Sequence, residues 1–291
     1  MREDINRLLD NVDRLFTLPE VYLRLRELHD DASSGIADFA RVVATDAALA
    51  ARVLRIANSA LFGFASRIDR LDRALTLMGT SQLHDLVLAS TAIDRLCRVS
   101  SGSLDMTLFW RRSIECAVLA RCLAERRLAV DSERYFLMGL LHDVGHLVLL
   151  QTRAAELDAI LAESARSGES LLTLERRKLG YDYGQVGAAL LERWRLPEPL
   201  CAAVGHHLHP HRDDPHAFEA AILHIAVLLG PDYEGQQTPL EALSLDPQAL
   251  AVCPFEAEEL AEVRAVCAAG VAEAIRLIMP GPRQASDAPA A

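Results

Sequence analysis

GLLHDVGHLVLL, residues 139–150, sets His142 and Asp143 in the middle of an apolar run long enough to be a buried helix or strand. A carboxylate in that setting is costly. Out of water, an ionised side chain needs a metal, a cation or several hydrogen-bond donors, so the pair implies a polar partner arriving from elsewhere in the chain. Whether that partner is a metal decides what the protein does.

The rest of the chain frames that question. It has 291 residues, 51% of them hydrophobic, enough for one large domain or two lobes with a substantial core. No apolar run reaches the ~20 residues needed to span a bilayer, and the opening MREDINRLLD is too polar for a signal peptide, so a cytoplasmic, non-membrane protein is expected. The six cysteines, Cys97, Cys116, Cys122, Cys201, Cys253 and Cys267, form no CxxC pair and read as free core thiols. A net charge of -11 argues against broad nucleic-acid binding and leaves room only for a local basic patch.

The periodicity is helical almost throughout. Ile5, Leu8, Leu9, Val12 and Phe16 recur at helical spacing until Leu18-Pro19 breaks the pattern, and a second helix follows from Glu20. Asp46 is a plausible N-cap for the helix after it, Asn58 a C-terminal cap, and Ser59 the start of a turn whose Leu61, Phe62 and Phe64 serve as packing anchors. Gly79 closes another helix and Ser81 caps the next. Val99–Ser103, small and polar, is the best internal boundary. One long amphipathic helix is expected over Leu104–Leu128, and a helix capped by Asp131 carries His142 and Asp143. Further helices are expected over Arg153–Ser167, Asp182–Arg195, Pro199–His207, Pro215–Leu229 and Glu256–Ile278.

Two helical lobes, the second with a His-Asp pair, resemble the HDOD domain, a bacterial signalling relative of the HD and HD-GYP metal-dependent phosphohydrolases. The resemblance runs from about Leu18 to His224 and rests on LPEVYLRLREL (18–28), TDAALAARVLRIANSALFGF (45–64), ALTLMGTSQLHDLVL (74–88), FWRRSIECAVLAR (109–121), FLMGLLHDVGHLVLL (136–150), YDYGQVGAALLERWRLPEPL (181–200) and VGHHLHP (204–210), in that order. A lone His-Asp dipeptide carries little weight; His84-Asp85 is a second one, assigned to a helix surface. The resemblance implies an all-α, two-lobed fold, with an N-terminal helical lobe over 1–102 and a degenerate HD-like lobe over 103–230; beyond it the sequence pattern gives a C-terminal helical extension over 231–279, expected to pack on that lobe, and the Pro-, Ala- and Ser-rich end a disordered tail over 280–291.

It also implies a site plan. In HD-GYP enzymes a histidine on the preceding helix, the His-Asp pair, a histidine four residues before a glycine, a His-His pair and a final aspartate hold the metals. Here those positions are Arg112, the intact pair His142 and Asp143, Tyr183 before Gly187, the pair His206 and His207, and Val227; His146 stands where a lysine often follows. Arginine stays protonated and offers no lone pair, valine offers nothing, and a protonated tyrosine is a poor ligand for divalent ions. No metal, no cofactor and no catalytic residue are therefore expected. Arg112 would instead supply Asp143 with a forked hydrogen bond, making the former metal pocket of Arg112, His142, Asp143, His146, Tyr183, His206 and His207 structural.

Blander readings compete at individual residues. His206 and His207 read more simply as a solvated helix end than as ligands, while His146, one turn after His142, could form a zinc pair only with a third ligand. The resemblance implies a non-catalytic relay or scaffold whose partners are a histidine kinase, a response regulator or a cyclic-di-GMP enzyme; with no receiver, GGDEF or EAL segment, its input would be a separate protein or a small ligand. The rival readings are a degenerate phosphohydrolase and a nucleotide or anion sensor using Arg112, His206 and His207.

Overall fold

The computed structural model describes residues 2–12, 20–31, 33–58, 68–80, 82–83, 87–88, 104–129 and 132–278. Among these the chain is helical and holds no strand, only one isolated antiparallel bridge between Pro231 and Gln237. The expectations for Leu18-Pro19, Ser59, Leu61, Phe62, Phe64, Ser81, His84-Asp85, Cys97, Val99–Ser103, Asp131 and the tail fall outside the described residues.

The first five helices are α1 (Arg2–Val12), α2 (Glu20–Asp30), α3 (Ile36–Ala44), α4 (Ala47–Ala57) and α5 (Leu71–Met78). Local chemistry sets their ends. The Asp46 carboxylate accepts from Leu49 N at 3.0 Å at the start of α4, and Gly79 leaves α5 at φ 86°, a conformation that costs glycine nothing. Asn58 caps the end of α4 by giving Nδ2 to Leu54 O at 2.7 Å. Its side-chain oxygen also accepts from Ile68 N at 2.7 Å, tying the helix end to the chain ten residues on.

The central helix α6 (Met106–Arg126) starts where Asp105 accepts from Thr107 N at 2.7 Å and Leu108 N at 3.2 Å. It was expected to be amphipathic, but it is buried on most sides, with Phe109, Trp110, Ile114, Val118 and Leu123 all inside. Around it stand α7 (Glu133–Leu141), α8 (Val144–Thr152), α9 (Ala154–Ser167), α10 (Leu171–Leu179), α11 (Tyr183–Arg193), α12 (Glu198–His206), α13 (Ala217–Leu229), the short α14 (Pro247–Val252) and α15 (Ala257–Ile278). Two glycines permit close crossings. A Cβ on Gly139 would lie 2.5 Å from Ala117 Cα, and one on Gly145 would lie 1.9 Å from Tyr183 O, so α7 meets α6, and α8 meets α11, backbone to backbone.

Packing divides the chain differently from a cut at residue 102. Ile5, Leu8 and Leu9 of α1 belong to the large core, with α1 lying on α8 and α11, and Arg193 pairs with Asp10 at 2.7 Å. Helix α2 bridges the two lobes, because Tyr22 enters the large core while Leu25, one turn on, joins Phe39, Val43, Leu49, Val53 and Leu75 in the small one. Helix α15 lies along α6, with Arg127 and Glu259 paired at 2.8 Å.

Candidate functional site: a buried charge cluster

The apolar run of residues 139–150 is not one helix. His142 ends α7 and Asp143 starts α8, so the polar pair forms the break between them, and both side chains are completely buried. Arg112 reaches them from the middle of α6. Its Nη1 donates to Asp143 Oδ2 at 2.7 Å and to His142 Nε2 at 2.7 Å, while its Nε donates to Pro231 O at 3.1 Å. The counter-charge anticipated from sequence is therefore present, but not as a fork onto Asp143: one nitrogen serves the pair and another holds a loop.

Two members of the cluster were not anticipated. Glu175 lies on α10, a helix absent from the sequence reading, and accepts from His146 Nε2 at 2.7 Å and Tyr183 N at 2.9 Å. The signals for that helix were available: Ser170 caps it through Thr173 N at 3.2 Å, and Gly180 ends it at φ 81°. Tyr233 comes from the loop after α13 and donates its hydroxyl to Asp143 Oδ2 at 2.9 Å. That loop is shaped by Asp232, whose Oδ1 accepts from Glu234 N at 2.9 Å and Gln236 N at 2.8 Å, by Gly235 at φ 79° and by the Pro231–Gln237 bridge. The Arg112 guanidinium carbon sits 4.4 Å from the centre of the Tyr233 ring.

The hydrogen bonds fix the protonation states. Arg112 can only donate, so His142 Nε2 must accept, and its Nδ1–H donates to Gly139 O at 2.7 Å. Burial and the neighbouring Arg112 charge push the His142 pKa down to about 3, so the ring is neutral. His207 follows the same pattern: its Nδ1–H donates to Val204 O at 2.7 Å and its Nε2 accepts from Tyr183 Oη at 3.2 Å, with burial lowering its pKa to about 3. His146 is the opposite case. Burial disfavours its charge, but Asp143 on Nδ1 and Glu175 on Nε2 outweigh it and raise the pKa to about 10, so both ring nitrogens carry protons. Asp143, despite burial, is held well below the usual carboxylate range by His146 and Arg112. Arg112 and His146 thus face Asp143 and Glu175, two cations against two carboxylates, with no net charge left in the cluster.

The anticipated pocket separates into two parts. Arg112, His142, Asp143, His146, Tyr183 and His207 come together, His146 stacking on Tyr183 at 4.2 Å between ring centres. His206 does not join them: its side chain is about half exposed and pairs with Asp214 at 2.6 Å. The solvated helix end therefore describes His206 and not His207. Val227, on α13, packs against the large core.

The donor set does not fit a metal. The His142 lone pair points at a guanidinium, the His207 lone pair is taken by a tyrosine hydroxyl, and both Asp143 oxygens already accept hydrogen bonds. Among the described residues no group of three His, Cys, Asp or Glu side chains is arranged to hold an ion. No described helix is long and apolar enough to cross a membrane.

An HD-type helical lobe built around a buried His-Asp pair, joined to a smaller helical lobe, defines the class. The chain belongs to the HDOD domain family, whose model matches residues 15–210. It is similar to a proposed phosphohydrolase of Shewanella amazonensis, 26% identical with a TM-score of 0.73 over 94% of this chain and 98% of that one. It also resembles in fold an HDOD domain protein of unknown function from Geobacter sulfurreducens, 24% identical with a TM-score of 0.72 over 91% and 93%. An uncharacterized protein of Treponema pallidum is 26% identical over 207 residues, 69% of this chain, which spans only 39% of that protein's length.

Proposed function

We propose that the protein is a non-catalytic signalling module that relays or scaffolds through its two packed lobes. One observation carries this reading: the Arg112 guanidinium lies 2.7 Å from both His142 Nε2 and Asp143 Oδ2, the atoms that a hydrolytic metal would need. Hydrolysis of a phosphodiester at such a site requires a cation that lowers the pKa of a bound water and neutralises developing phosphoryl charge. A guanidinium supplies charge but cannot coordinate or activate water. The HDOD resemblance points to a histidine kinase, a response regulator or a cyclic-di-GMP enzyme as partner. A relay must exist in two arrangements that a partner distinguishes, and α2 with its feet in both cores is the element through which one lobe would feel the other.

Two measurements test the reading. Elemental analysis of protein purified without chelator should return no stoichiometric iron, manganese or zinc, and cyclic di-GMP or a nitrophenyl phosphodiester should not be hydrolysed when those ions are added. Stoichiometric metal that is lost in His142→Ala would overturn the non-catalytic assignment. Saturable binding to at least one purified partner of the three classes is expected, and binding to none would overturn the relay.

A further inference from the structure

Between α6, the loop 231–240 and α15 lies a cavity of about 760 Å³. Its size is that of a small-molecule site. Its walls carry both charges. Arg264 is half-buried, donates Nε to Leu229 O at 3.1 Å and Nη1 to Thr238 O at 3.0 Å, and leaves its buried Nη2 without a hydrogen-bond partner. Among the described residues it meets no carboxylate within ion-pair distance, and burial lowers its pKa. Glu115, also half-buried, lines the cavity from α6; it accepts from Gln237 Nε2 at 2.8 Å and, among the described residues, forms no ion pair. The mouth repeats the pattern with exposed Arg111 and Glu234. Leu108, Leu119, Leu240 and Val271 supply an apolar surface.

A cation and an anion that line one cavity from different helices without touching are each incompletely compensated. A polyanion would meet Glu115 and Glu234, and a simple cation would meet Arg264 and Arg111. A molecule carrying one negative and one positive group on an apolar body satisfies both at once, its carboxylate taken by the remaining N–H of the Arg264 Nη1 and its ammonium by a carboxylate. We infer that this cavity binds a zwitterionic ligand, an apolar α-amino acid or a dipeptide with apolar side chains, with the carboxylate at Arg264 and the ammonium at Glu115. Arg112 and Pro231 belong both to the cavity wall and to the buried cluster, so occupancy would bear on the loop that carries Tyr233. That last step rests on the relay reading; the binding does not.

Calorimetry on the full chain with leucine, phenylalanine, tryptophan and leucyl-leucine is the test, run beside their N-acetyl and carboxamide derivatives and AMP. At least one zwitterion should bind saturably below about 10 mM, and removing either of its charges should weaken binding by about tenfold or more. Glu115→Gln and Arg264→Gln should each cause a comparable loss, and Arg166→Gln, on the exposed end of α9, none. Because Arg264→Gln also frees two carbonyls, Ala268→Trp provides a second variant that fills the cavity from α15 and should abolish binding. No saturable zwitterion binding, equal binding of the blocked derivatives, or a preference for AMP would overturn the inference. None of these outcomes requires a partner protein, so failure here is distinct from failure of the relay.

Discussion

Arg112→Ala should destabilise the fold by about 3 to 5 kcal/mol. The substitution acts where side-chain exposure is 8% for Arg112 and 0% for Asp143, so water cannot replace the lost donor. It takes the cluster from two cations and two carboxylates to one cation and two carboxylates. Asp143 keeps His146 and Tyr233 as donors, which places the loss within that range and not beyond it. That figure includes the donor lost to His142 Nε2 and to Pro231 O. Equilibrium urea unfolding gives the number, provided the slope is unchanged. The double variant Arg112→Ala with Asp143→Ala should recover part of the loss, because no carboxylate is then stranded. Arg112→Lys should fall between, since an ammonium keeps the charge but cannot serve Asp143, His142 and Pro231 together. A loss under about 1 kcal/mol, or single losses that simply add in the double variant, would show that the cluster does not carry the core.

Stability should form a dome in pH. His146, raised from 6.5 to about 10, stabilises fully below its unfolded value and loses that contribution as pH climbs from about 6.5 to 10. His142 and His207, lowered from 6.5 to about 3, destabilise as pH falls across the same interval on the acid side, because the unfolded chain binds protons that the folded chain refuses. Urea midpoints from pH 4 to 10 should show both limbs, with the alkaline limb flattened in His146→Gln; an unchanged limb in that variant would refute the assignment. Tyr233→Phe removes one donor to an ionised carboxylate and should cost about 1.5–3 kcal/mol by urea unfolding, and no loss would mean the loop is dispensable to the cluster. Gly145→Ala drives a Cβ into the Tyr183 carbonyl and should cost more than about 3 kcal/mol or prevent folding, read by circular dichroism against wild type. His206→Ala should cost less than about 1 kcal/mol and His207→Ala about 2–4, and equal effects would contradict their opposite placement.

The sequence by itself determined the helical class, most helix ends and the conflict at the centre. Asp46, Gly79, Asn58 and Asp182 act through neighbours within a few residues, or ten in the case of Asn58, so their roles can be read from local chemistry. That Arg112 and Tyr183 offer little to a metal was likewise legible, because residue type alone fixes what a side chain can donate. Tertiary structure decided the rest. His206 and His207 are adjacent on a helix end, about 100° apart around its axis, and only the packing of α12 against α11 and α13 selects which one is buried. Glu175 and Tyr233 reach the cluster from 32 and 90 residues beyond Asp143 in sequence, and no spacing rule links them to it. The charge state of His146 follows from that convergence: between two carboxylates it is a cation, whereas His142, one turn earlier and facing a guanidinium, is neutral. The same residue type in the same apolar run is charged at one position and neutral at the other because a buried proton is placed by its partners, and the fold brings the partners.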